Sequence, residues 1–326
     1  MRIVTAADLA GSFDTRTLVE RLRAAFRDDI AVPPRTVHDI ESAFGPGEPG
    51  GGHLMLMPAW LRGTARAGDI RGRRGFIGVK VQTLFEANRA AGKPSLMGVY
   101  VLLKGTTGEP VALMDAPALT AWRTASASAL AASYLARQDA ERLLMIGAGT
   151  LAPYLIRAHA AVRPIRNVLI WNRTPAAAER LARHLSRKDF KVAATTDLEG
   201  AVRGAHVISS ATSSTSPLVR GEWLPAGVHV DLVGGFRPDM READDEAMRR
   251  ARVFVDTREG TMTATGDIAG PLASGAITAD DIAADLFELA RGDRAGRRFH
   301  DQITLFKSAG TALEDLAAAT LAFERT

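Results

Sequence analysis

From about residue 140 onward, short apolar runs recur between turns: RLLMIG, NVLIWN, KVAATT, HVISSA, GVHVDLVG and RVFVDT. Between the first of these lie stretches such as TPAAAERLARHL, where alanine and leucine return at helical spacing behind Thr174 and Pro175, a cap and first-turn pair. That alternation predicts an α/β domain, a doubly wound parallel sheet of the Rossmann type. Residues 1 to about 120 follow another rhythm. One amphipathic helix, TRTLVERLRAAFRDD, precedes the strand-like runs HLMLMPAW, GFIGVKVQTLF, SLMGVYVLL and PVALMD, which predicts a separate α+β unit. A helix over 118–136, ALTAWRTASASALAASYLA, connects the two. The closing DQITLFKSAGTALEDLAAATLAFE reads as a strand or turn and then an alanine-rich helix that returns to the first unit, making it discontinuous. The expected division is 1–120 with about 302–326, against 121–301.

Composition narrows the chemistry. At 326 residues, two domains are the natural expectation. The absence of cysteine removes disulfides, thiolate nucleophiles and cysteine-bound zinc, and suits a reducing cytoplasm. The start, MRIVTAADLA, has neither a basic segment before an apolar core nor a membrane-length run, so no membrane partner is expected. A pI near 9.7 brings nucleic acid to mind, but the excess charge is only +4 and the arginines are scattered among alanines, the pattern of a solvated surface. The glycine and proline cluster FGPGEPGGGH, 44–53, is expected to be a surface loop between strands. The seven histidines show no spacing that sets two ligands on one helix face, so no metal is expected, and there is no nucleophile elbow. His53 stands before a strand, where a pocket or a surface loop would serve it equally.

The strand RLLMIG runs into Gly147, Ala148, Gly149, Thr150, Leu151 and Ala152, a G-x-G-x-x-A turn that opens a helix. Two glycines permit a tight turn and close backbone approach, and amides at the helix start face a pyrophosphate. After the second strand, Asn172, Arg173 and Thr174 offer an amide, a cation and a hydroxyl where an NAD site usually presents a carboxylate. They favour NADPH, with NADH allowed. Ser210, Ala211 and Thr212, and Val233 at the end of the following strand, are candidates for the cofactor's other side.

Three cations remain: Arg35 in PPRTVHD, Lys80 in GVKVQT and Arg123 in LTAWRTASASAL. Singly, each has the character of a surface charge. In series with GVYVLLKGTTGEPVALMD, LTAWRT, IGAG and the late FKSAGTALEDLA, they make nearly the whole chain resemble the ornithine cyclodeaminase/μ-crystallin family. The resemblance implies a homodimer whose first domain binds substrate and dimerises while the second binds the nicotinamide cofactor. It also implies that Arg35 and Arg123 hold a substrate carboxylate, that Lys80 sits beside the reacting carbon and nitrogen, and that Arg123, Ser95, Ser308 and Ala309 approach the cofactor. Thr124 is a further candidate. A guanidinium fork suits a carboxylate, and a lysine ammonium can donate a proton.

The family's reactions part at GGFRPDMREADDE. Cyclodeaminases carry an aspartate directly after the two glycines, where this chain has Phe236, which exchanges no proton. The resemblance therefore implies NAD(P)H-dependent reduction of a preformed cyclic imine acid, with Met55, Met57 and Phe236 against the ring. An ornithine cyclodeaminase, an amino-acid dehydrogenase using ammonia and a non-catalytic, crystallin-like NADP-binding protein are the alternatives. The five acids of the stretch read as a loop leading into a helix, with Asp244, Asp245 and Glu246 in its first turn and Arg249 and Arg250 at its end. That arrangement suits the helix dipole without an active site.

Overall fold

The computed structural model describes residues 1–42, 51–62, 75–185 and 190–326, the side chain of residue 89 excepted. Most of the expected 44–53 loop lies outside these residues, and Gly52 and His53 already belong to a strand. The chain forms two compact units, Met1–Arg123 with Thr311–Thr326, and Thr124–Gly310.

The first unit is built on a seven-stranded sheet of β1 (Arg2–Val4), β2 (Ile30–Ala31), β3 (Thr36–Ile40), β4 (Gly52–Leu61), β5 (Phe76–Leu84), β6 (Leu96–Lys104) and β7 (Pro110–Asp115). The order is β1-β7-β6-β5-β4-β2, with β3 also on β4. Only β1 and β7 pair in parallel. Alternation along β4 to β7 sends Met57, Ala59, Tyr100, Leu102, Ala112 and Met114 into a core shared with Leu9, Leu18 and the helix Ala312–Arg325. That helix is so rich in alanine that its backbone can lie close to the sheet. The opposite face is also apolar: Leu56, Val79 and Val81 are half-buried, while Trp60, Met97 and Val99 are exposed at 38%, 40% and 44%.

In the second unit, β8 (Arg142–Ile146), β9 (Asn167–Trp171), β10 (Lys191–Thr195), β11 (Val207–Ser210), β12 (His229–Leu232), β13 (Arg252–Val255), β14 (Ile282–Asp285) and β15 (Thr304–Lys307) form an all-parallel sheet. Its order is β10-β9-β8-β11-β12-β15-β13-β14. β8, β11, β12 and β15 are almost wholly buried, as strands covered on both faces must be. The order reverses between β8 and β11, the point at which open α/β sheets leave a crevice beyond their carboxyl ends. β15 lies between β12 and β13, so the chain leaves this unit at Gly310 and not near 302: the apolar TLFK completes the second sheet. Among the described residues, no helix is long and apolar enough to cross a membrane.

Candidate active site

Lys80 sits in the middle of β5, opposite Met57 on β4 and Tyr100 on β6, with all three side chains turned to the covered face and buried. The helix Ala312–Arg325 brings Glu314 and Asp315 to this face in its first turn, behind Thr311, whose hydroxyl accepts from the Leu313 amide. A helix N-terminus favours carboxylates, but burying two of them requires cations as well. Lys80 Nζ lies 2.8 Å from Asp315 Oδ2 and donates to Thr120 Oγ1 at 3.5 Å. From the helix Ala116–Leu135, Arg123 donates through Nε to Asp315 Oδ1 at 3.0 Å and through Nη1 to Glu314 Oε2 at 2.8 Å. Arg35, half-buried between β2 and β3, is near enough for its charge to act on Lys80. Among the described residues, these three cations against two carboxylates leave one positive charge, which suits a substrate bearing a single carboxylate.

Burial, first, and the charges of Arg123 and Arg35 bring the Lys80 ammonium down to about 8, against the upward pull of Asp315. Burial opposes the ionisation of Asp315, but Lys80 and Arg123 outweigh it and hold that carboxyl below its ordinary value. Buried Tyr100 is pushed up, by desolvation and then by Asp315. Sequence reasoning missed Glu314 and Asp315, although both stand in the quoted LEDLA. Two acids opening an otherwise apolar helix are the signal that would have found them.

The remaining candidates of this unit fall elsewhere. Ser95 precedes β6, its carbonyl accepting from Phe85 N at 2.8 Å, roughly 15 Å of strand from the level of Lys80 and Tyr100. Met55, half-buried, faces Gln82, two pairs along from Met57. His53 meets Asp39 at 2.8 Å with both side chains largely exposed, which makes it a surface residue.

In the second unit, the turn 147–151 lies at the switch point, directly after β8. Gly147 has φ 103°, and a Cβ there would press on the Ala211 carbonyl at 2.6 Å. At Gly149 a Cβ would enter open space, so its absence leaves a cradle at the start of the helix Ala152–Val162, which no side chain caps. An amide-lined turn with that opening fits a pyrophosphate. Asn172 fastens the turn: its Oδ1 accepts from Ala148 N at 3.2 Å and its Nδ2 donates to the Thr174 carbonyl at 3.0 Å. Its amide thus serves the backbone, while Arg173 and Thr174 are exposed. Ser210 ends β11, Ala211 and Thr212 follow it beside Gly147, and the Val233 amide donates to the Ser210 carbonyl at 2.8 Å. Asp256 shapes the stretch after β15, accepting from Ala309 N at 2.7 Å, Gly310 N at 2.6 Å and Ser308 Oγ at 3.3 Å. Thr124 is buried, and Phe236 is 46% exposed with the Arg237 guanidinium 5.9 Å from its ring centre.

The parallel sheet with a glycine turn at its switch point defines the second unit as a Rossmann dinucleotide-binding domain, and the protein as a nicotinamide-cofactor α/β protein with a second domain. The chain belongs to the ornithine cyclodeaminase/mu-crystallin family, whose model matches residues 3–326. It is 38% identical over 320 residues to the Delta(1)-pyrroline-2-carboxylate reductase of Paracoccus denitrificans, covering 98% of this chain and 95% of that protein. The structure of Thermococcus litoralis Delta(1)-pyrroline-2-carboxylate reductase in complex with NADH and L-proline is similar at a TM-score of 0.90 and 32% identity, over 100% of this chain and 97% of that one. An archaeal alanine dehydrogenase dimer with bound NAD has a TM-score of 0.88 at 28% identity, over 100% and 95%.

Proposed function

We propose that this protein is an NAD(P)H-dependent reductase of cyclic imine acids, converting 1-pyrroline-2-carboxylate to L-proline and 1-piperideine-2-carboxylate to L-pipecolate. The observation that carries the reading is the buried Lys80 ammonium, held between Asp315 and Arg123 with a proton affinity brought near neutrality. Arg35 and Arg123 take the substrate carboxylate, and Met57 beside Lys80 gives the ring an apolar surface. Lys80 Nζ supplies the proton that ends on the ring nitrogen, since a protonated imine is the better electrophile. The 147–151 turn would hold the nicotinamide cofactor, which in its reduced form would supply the hydride. Phe236, where the cyclodeaminases keep an aspartate, leaves no acid or base there for releasing ammonia. An amino-acid dehydrogenase is the second reading, favoured by the likeness to the archaeal alanine dehydrogenase. Initial rates separate the two: cyclic imine acids turning over without ammonia support the reductase, and a strict requirement for a linear 2-oxo acid with ammonia would replace it.

The reaction needs Lys80 protonated, so kcat/KM is expected to fall about tenfold per pH unit above pH 8. Asp315 favours the charged lysine. In Asp315→Asn that support is gone, and the descending limb should begin at lower pH; a limb that stays in place or moves upward contradicts this assignment.

We also infer a preference for NADPH. Arg173 and Thr174 stand exposed after β9, with no carboxylate at 172 to repel a 2′-phosphate. Arg173→Ala should raise the KM for NADPH about tenfold and leave that for NADH within about twofold. The expected assembly is a cytoplasmic homodimer, where reduced nicotinamide is at hand. The apolar outer face bearing Trp60, Met97 and Val99 is the expected contact, testable as a solution mass twice the 34.7 kDa of the chain.

A further inference from the structure

One of the five acids in GGFRPDMREADDE is not on the surface. Glu242 is fully buried, and its carboxylate accepts four hydrogen bonds from two segments, the turn at 210–212 and the glycine that follows β12. Oε1 accepts from Ser210 Oγ at 2.6 Å, Thr212 N at 2.7 Å and Thr212 Oγ1 at 2.9 Å, and Oε2 accepts from Gly234 N at 2.7 Å. The Glu242 backbone is fixed in turn: its amide and that of Ala243 donate to Asp267 Oδ1 at 2.7 and 3.2 Å. Asp267 Oδ2 is paired at 3.0 Å with Lys307 Nζ, both side chains fully buried.

The two glycines are explained by this cluster. A Cβ at Gly234 would collide with the Thr212 backbone and approach Glu242 Oε1 at 2.7 Å, and one at Gly235 would approach Asp267 Oδ2 at 2.7 Å and Lys307 Nζ at 3.3 Å. The backbone after β12 therefore lies directly on the ionic cluster, and Phe236 is the next residue out. The turn at 210–212 lies against Gly147, at the dinucleotide turn.

We infer that Glu242 is a positioning residue for the reaction. It ties the cofactor-side turn 210–212 and the loop presenting Phe236 into one frame, which Asp267 and Lys307 anchor from behind. The inference rests on the reading of the second unit as the cofactor half and of Phe236 as a substrate contact. The asymmetry of the four bonds makes it specific. In Glu242→Gln, the side-chain carbonyl can keep all three donors from Ser210 and Thr212, but its NH2 then meets the Gly234 N–H donor to donor. Glu242→Ala loses both sides.

The test compares these two variants of the full chain with the unaltered protein by hydrogen exchange, NADH affinity and kinetics. Glu242→Gln should accelerate amide exchange in 232–240 but not in 208–216. It should also raise the KM for 1-pyrroline-2-carboxylate about tenfold while the NADH Kd stays within about twofold. Glu242→Ala should accelerate exchange in both segments and raise both constants about tenfold. Unchanged exchange in both variants, or a lower Tm with KM, kcat and Kd all unaltered, overturns the proposal. Absence of turnover in the unaltered protein would instead contradict the proposed reaction, and the exchange pattern with the NADH affinities would still decide whether Glu242 holds the frame.

Discussion

Replacing Lys80 by methionine is expected to lower kcat/KM for 1-pyrroline-2-carboxylate by on the order of 10³, the range of a lost general acid, with NADH affinity within about twofold of the unaltered protein. Methionine is the informative replacement. The lysine stem is buried between Met57 and Tyr100, and an unbranched apolar side chain of similar length fills that space. Asp315 keeps Arg123 as a partner, so the remaining charges stay compensated and the unit should fold. The loss then reports on the ammonium itself, as proton source and as part of the charge that receives the carboxylate. The dinucleotide turn belongs to the other unit, which is why cofactor affinity is the internal control. Steady-state kinetics with fluorescence titration of NADH measure both. A loss below tenfold would remove Lys80 from the chemistry.

Arg123→Ala should damage stability and activity together. Arg123 is 6% exposed, and its guanidinium spans two buried carboxylates, Glu314 and Asp315, so that its removal deletes an ion pair from each. Breaking a buried pair by deleting one partner costs roughly 3–5 kcal/mol, because the surviving charge keeps its desolvation penalty. For a protein with units of this size that corresponds to a fall in Tm of roughly 6–20 °C. Activity should fall by at least about 10², since the planar fork for the substrate carboxylate goes with it. The two losses separate in the double variant Arg123→Ala/Glu314→Gln. Neutralising Glu314 relieves the buried carboxylate that has lost its ion pair with Arg123, so part of the Tm should return while kcat/KM stays low. Thermal melts and kinetics on the same preparations test this, and recovery of activity with stability would mean that Arg123 acts only as a structural partner.

The parts of this molecule that could be read in the chain are those where one local pattern has one physical outcome. RLLMIG, HVISSA and HVDLVG are rich in Leu, Ile, Val and Met because β8, β11 and β12 are covered on both faces, and GAGTLA suits a tight turn into a helix. TLFK was legible as an apolar run but not as β15, because its partners, β12 and β13, are tens of residues away and nothing local names them. Burial of charge was the larger blind spot. Asp244, Asp245 and Glu246 do what their positions suggest: Asp244 caps the helix Asp245–Arg250 through the Ala247 amide, and the other two occupy its first turn. Glu242, two residues before that cap, looks the same in the sequence yet is the most deeply engaged acid of the stretch. Its partners come from β11, the glycine pair and Asp267, which only the fold assembles. Glu314 and Asp315 escaped notice for the same reason, as first-turn acids are ordinary on exposed helices.

The central claim is that hydride reaches C2 of a preformed cyclic C=N bond. Incubating the purified protein with 1-pyrroline-2-carboxylate and nicotinamide cofactor deuterated at the transferable C4 position, without ammonia, tests it in one mass spectrum. The expected product is L-proline carrying one deuterium at C2, with one equivalent of cofactor oxidised. Proline formed without deuterium, or cofactor oxidation that appears only when a linear 2-oxo acid and ammonia are supplied, would contradict it.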